Sequence, residues 1–113
     1  MLIARSIRIL YRNQQGTIRQ NFNWGPINLD SAVIITAAQF NYVDPGQVFT
    51  TPNKTQGRPW LGAANVYVTN VGPHNPEGGT GGVEFLLHVD WGTPLDVIVT
   101  ITVLDNIEEF VQL

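Results

Sequence analysis

At 113 residues and without cysteine, the chain has the length of one domain and lacks disulfides, thiolate nucleophiles and Cys-ligated zinc alike. Apolar residues are 43% of it and charged residues only 13%, which argues against disorder and leaves Asn, Gln and Thr, or a neighbouring subunit, to cover much of the surface. A net charge of -3 with six basic residues makes no phosphate-tracking surface, so nucleic acid is not an expected partner.

The opening MLIARSIRILYRNQQG places Arg5 and Arg8 inside its apolar stretch, which does not read as a signal peptide, and the compartment stays open. Ile3, Ile7, Ile9 and Tyr11 share one parity with Arg5, while Arg8, Leu10 and Arg12 share the other, as in a half-buried strand. Residues 13–16 read as a turn and 17–22 as a partner strand with Ile18 and Phe22, together a hairpin. Asn23, Trp24, Gly25 and Pro26 end it. A third strand is expected over 32–43, where Val33, Ile34, Ile35 and Thr36 favour a pleated backbone. Its run VIITAA is too short to span a membrane, and no membrane insertion is expected.

Asp44, Pro45 and Gly46 close that strand, and a Thr-, Asn- and Pro-rich loop follows over 47–59, with one short edge strand at 48–50. Alternation resumes over 63–71, and a second loop runs over 72–82. Val83, Phe85, Leu87, Val89 and Trp91 then share a parity, as do Leu95, Val97, Val99, Ile101 and Val103 after Gly92, Thr93 and Pro94, which suggests a closing hairpin over 83–104. Leu86, Ile98 and Leu104 fall on its second face, which loops or another subunit must cover. Residues 105–113 are open to fraying, to one helical turn at 106–110, or to docking through Ile107, Phe110, Val111 and Leu113. These elements define an all-β chain, a small antiparallel β-sandwich of six or seven strands forming one domain over 1–113, with a closed barrel as the alternative.

Residues with catalytic potential are few: two serines, one lysine (Lys54), and His88 on one strand face with Glu84 and Asp90. That trio suits a metal or a general base, but it equally suits a solvated or intersubunit surface; no cofactor is expected. Trp24, Trp60 and Trp91 all sit at segment ends, where an indole either plugs the sandwich or offers a platform to the apolar face of a sugar. Trp60 is the expected platform, with Asn53, Arg58 and Asn75 as hydrogen-bonding residues and His74 as a further polar contact.

The stretches FNWG (22–25), AAQFNY (37–42), VEFLLHVDWG (83–92) and PLDVIVTITVLD (94–105) resemble, in their apolar pattern and order, H-type lectin-like domains. The resemblance implies a small β-sandwich assembling as a trimer or hexamer and binding N-acetylgalactosamine or related sugars at subunit boundaries. No sugar-contact residue carries over, and the family's disulfide variants have no counterpart here. The expected function is therefore a non-enzymatic, lectin-like glycan-binding module acting as a symmetric homo-oligomer. The alternatives are a structural or assembly subunit of a surface, phage or toxin-like particle, and a metal-dependent enzyme on a cupin-like barrel. The four arginines before residue 20 and the seven acidic residues from Glu77 onward would meet within a sheet or between subunits.

Overall fold

In the computed structural model, the residues described are 4–42, 57–75 and 80–113. Among them lie seven strands: β1 (Arg5–Gln14), β2 (Gly16–Asn23), β3 (Ser31–Tyr42), β4 (Gly57–Trp60), β5 (Asn65–His74), β6 (Gly82–Asp90) and β7 (Leu95–Asn106). They form two antiparallel sheets, a four-stranded sheet in the order β1-β7-β3-β4 and a three-stranded sheet in the order β2-β6-β5. The β-sandwich expected from the alternation is thus present, as two sheets and not the alternative closed barrel.

Neither expected hairpin forms. β1 pairs with β7 while β2 pairs with β6, so each short connection, 13–16 and 91–94, crosses from one sheet to the other. The reason lies in the apolar content of the last two strands. β6 and β7 carry nine of the eleven buried hydrophobic side chains among the described residues, and by crossing between them the chain makes each one an interior strand of its own sheet, where both edges are hydrogen-bonded. Their odd-numbered side chains then meet face to face: Val83, Phe85, Leu87 and Val89 against Val97, Val99, Ile101 and Val103, all buried.

The two crossings sit side by side and bind each other. The Asn13 backbone N–H donates to Asp96 Oδ1 (3.0 Å), and Gln15 Nε2 donates to the Trp91 carbonyl (3.1 Å). Asn13 and Gly16 have φ of 55° and 75°, the left-handed region that lets the chain turn within so few residues. At the opposite end, the connection from β2 to β3 drives Ile27 into the core, and the Trp24 N–H donates to the Gly81 carbonyl (2.7 Å). Trp24 itself packs against that core, as a plug at the sandwich end, with the Arg5 guanidinium 5.8 Å above its ring.

β4 is an unexpected element, containing Pro59, and β5 runs on through Pro73 to His74, where glycine and proline predict a loop. Both are edge strands, where a residue without an N–H can face away from the ladder. The expected strand at 48–50 lies outside the described residues. Asn106 continues β7, so no helical turn forms at 106–110, and residues 107–113 are exposed without regular structure.

Tyr11, half-buried against the core, has its phenol pushed above the ordinary value of 10.0 by burial. In the unfolded chain the proton leaves near the ordinary value, and in the folded chain only at higher pH. Above that value the unfolded state binds fewer protons, so stability falls with rising pH there and is unaffected below it. Tyr11→Phe is expected to flatten this alkaline loss, read as the difference in urea midpoint between about pH 8 and about pH 11.

Candidate functional site

The outward face of the three-stranded sheet is built from alternate residues of β2, β6 and β5. Pairing of Thr17 with His88, Arg19 with Leu86 and Asn21 with Glu84 sets one half of it. Pairing of Tyr67 with His88 and Thr69 with Leu86 sets the other. A β-bulge then intervenes between Thr69 and Gly72, with Asn70 at φ 56°. The extra residue reverses the parity of β5. Without it His74 would point inward with Val66 and Val68; with it His74 falls beside Gly82 on the outward face.

The upper part of this face is a closed hydrogen-bonded unit. His88 Nδ1 lies 3.0 Å from the Thr17 hydroxyl and its Nε2 lies 2.7 Å from the Thr69 hydroxyl. Because a threonine hydroxyl donates or accepts, either imidazole tautomer is satisfied there. Tyr67 stacks on the same ring, centroids 4.5 Å apart and planes 11° from parallel. Both His88 nitrogens are therefore engaged, which weakens the general-base reading of this residue. Glu84 lies four residues down the strand, about 13 Å away at 3.3 Å per residue. Among the described residues no three His, Asp or Glu side chains stand close enough to share one ion.

The lower part is open. A shallow depression of about 490 Å³ has Leu86 and Pro73 as apolar surface and Arg19, Glu84, Asn70 and His74 as polar surroundings, with Gly72 leaving its wall low. Arg19 holds the Glu84 carboxylate with both Nε (2.8 Å) and a terminal nitrogen. His74 Nε2 lies 2.7 Å from Asn21 Oδ1, and Asn21 Nδ2 donates to Asn23 Oδ1 (3.0 Å). A guanidinium, a carboxylate, an imidazole and the Asn70 amide thus border one apolar floor.

The residues singled out by sequence fall in separate places. Asn53 lies outside the described residues. Arg58 and Trp60 are two apart on one face of β4, with Trp60 paired to Gln39 and 48% exposed. Trp60 borders a smaller depression of about 230 Å³ with Ala37, Gln39, Leu61, Ala64 and Val66, where the sheets part. His74 lies at the far end of β5, in the larger depression, and the neighbouring Asn75 accepts the Leu29 N–H through Oδ1 (3.0 Å). The two depressions share no lining residue.

Arg19, Asn21 and Asn70 do not stand out as binding residues in the sequence, and Glu84 does so only in the trio with His88 and Asp90. Arg19 and Glu84 are 65 positions apart and meet only through the β2–β6 register. The usable signal is parity: Thr17, Arg19 and Asn21 alternate with Ile18 and Phe22, as Glu84 and His88 alternate with Phe85 and Leu87. Among the described residues no helix is long and apolar enough to cross a membrane. Comparison with protein families, with curated proteins and with solved structures returned no match.

Proposed function

We propose that this chain is a non-enzymatic carbohydrate-binding module whose site is the depression on the outward face of the β2-β6-β5 sheet. The observation that carries the reading is the mixed character of that depression: the Arg19–Glu84 pair, His74 and Asn70 around Leu86 and Pro73. A sugar presents C–H patches and closely spaced hydroxyls together, so its site needs an apolar floor ringed by groups that donate and accept. Glu84 supplies acceptor oxygens to ligand hydroxyls, and Arg19 holds that carboxylate in place while donating. The resemblance to H-type lectin-like domains supports the same class at the level of a small antiparallel sandwich. Shallow sites of this kind gain strength from repetition in an oligomer.

The test is retention on a glycan array of the chain, of Glu84→Gln and of Trp60→Ala. Glu84→Gln is expected to weaken retention about tenfold by removing charge-assisted acceptor bonds. It should leave stability within about 1 kcal/mol, because the exposed ion pair contributes little. Trp60→Ala should leave retention unchanged. Loss with Trp60→Ala alone would move the site to β4, and an intact chain that retains no glycan would sink the reading. In that case the exposed apolar side chains of Ile34, Leu61 and Phe110 favour the second reading, an assembly subunit.

A further inference from the structure

Two surfaces of this molecule carry charges of opposite sign that form no ion pair among the described residues. One is the segment 107–113, which leaves β7 where the Ile107 N–H donates to the Asp30 carbonyl (2.7 Å). Ile107, Phe110 and Val111 are exposed there, Phe110 by 87%, and Glu108 and Glu109 make no ion pair among the described residues. The other is β1, the outermost strand of its sheet, with Arg5 and Arg8. Arg5 lies over Trp24, and Arg8 Nε donates to the Thr100 hydroxyl (3.3 Å); neither meets a carboxylate among the described residues.

The two surfaces match in more than sign. Glu108 and Glu109 are adjacent, so in an extended strand they fall on opposite faces; Arg5 and Arg8 are three apart and also fall on opposite faces, so one glutamate can stand directly opposite an arginine while the other reaches its arginine diagonally, two positions along the same face. The segment IEEFVQL has no glycine or proline and combines β-branched and aromatic residues, a composition suited to a pleated strand. Seven residues extend about 23 Å, within the ten-residue length of β1. An outermost strand is a template for one more.

The segment cannot easily reach β1 of its own chain. Asp30 immediately precedes β3, so 107–113 departs on the β3 side of β7, whereas β1 lies on the other side. We infer that residues 107–113 dock in trans, as an added strand along β1 of a second copy of this chain, with Glu108 and Glu109 against Arg5 and Arg8. The charges on both faces set the register of the added strand, and the apolar side chains gain cover. This linkage is independent of the ligand, and it supplies the repetition that shallow sites need.

The test is the mass in solution, by light scattering at matched concentration, of the intact chain, of a chain ending at Asn106, of Arg5→Glu/Arg8→Glu, of Glu108→Arg/Glu109→Arg, and of the combined reversal. Far-UV circular dichroism and a cooperative urea transition confirm that each variant is folded. The intact chain is expected to have a multiple of 12.5 kDa. The shortened chain and each single-sided reversal should fall to the mass of one chain, with at least about tenfold weaker association, and the combined reversal should restore the assembly. An intact chain that is monomeric would mean the arginines guard the edge, and would overturn the inference. So would an assembly indifferent to the deletion, or one that the combined reversal fails to restore.

Discussion

Replacing Gly81 by alanine is expected to destabilise the fold by about 3 kcal/mol, the upper part of the range for overpacking a well-filled site. A Cβ at Gly81 would collide with the Ile27 carbonyl oxygen and lie 3.2 Å from the His74 carbonyl oxygen. Backbone atoms cannot escape by changing rotamer. To make room, the connection that inserts Ile27 must retreat, and with it the hydrogen bond from Trp24 to Gly81. Chemical unfolding measures the loss, and two other glycines calibrate it. Gly16 has open space but a φ of 75°, so alanine there should cost about 1 kcal/mol. Gly72 has neither obstacle, and alanine there should change stability little. Equal losses at Gly81 and Gly72 would show that the close approach at Gly81 is not what stabilises that end.

Phe85→Ala is expected to cost about 3–5 kcal/mol, a large share of the total stability of a domain this size. Phe85 is only 1% exposed and sits midway along β6, the interior strand of its sheet, facing the buried side chains of β7. Its removal leaves a void that two hydrogen-bonded sheets cannot close. A lowered urea midpoint at unchanged slope is the expected signature. A loss below about 1 kcal/mol would mean that the sheets can approach and refill the space, contrary to close packing.

Side-chain parity is legible in the amino-acid sequence. Val83 to Val89 and Val97 to Val103 place an apolar residue at every second position, from which their burial, and hence an all-β sandwich, follows even though Leu86 and Ile98 interrupt the alternation. Strand partners do not follow, because a short connection such as 13–16 or 91–94 looks alike whether it joins neighbours in one sheet or crosses between two. Pro59 and Pro73 read as breakers, since a proline is excluded from a strand only where both edges are paired, and sequence does not say which strands lie outermost. The site is hidden for a related reason. His74 reads as a loop residue, yet its position depends on the single extra residue at Asn70, and Arg19 meets Glu84 only through the register of β2 and β6. Trp60 reads either as a plug or as a platform, and it is 48% exposed, but nothing in its neighbourhood of the sequence tells that His74 lies elsewhere.

The position of β7 between β1 and β3 also shapes how the molecule is made. A ribosome releases residues 5–42 long before residues 95–106, at about 5–20 residues per second. Until then β1 and β3 have no shared neighbour to join them, whereas the hydrogen-bonded ladders of the β2-β6-β5 sheet need nothing beyond residue 90, although its apolar face still awaits β7. Folding in the cell should therefore begin with that smaller sheet, while Ile7, Ile9, Val33 and Ile35 wait for their cover. For several seconds the nascent chain displays the apolar strands of an unfinished sheet, a period in which a chaperone that holds extended segments would make the difference between one sandwich and tangled neighbours.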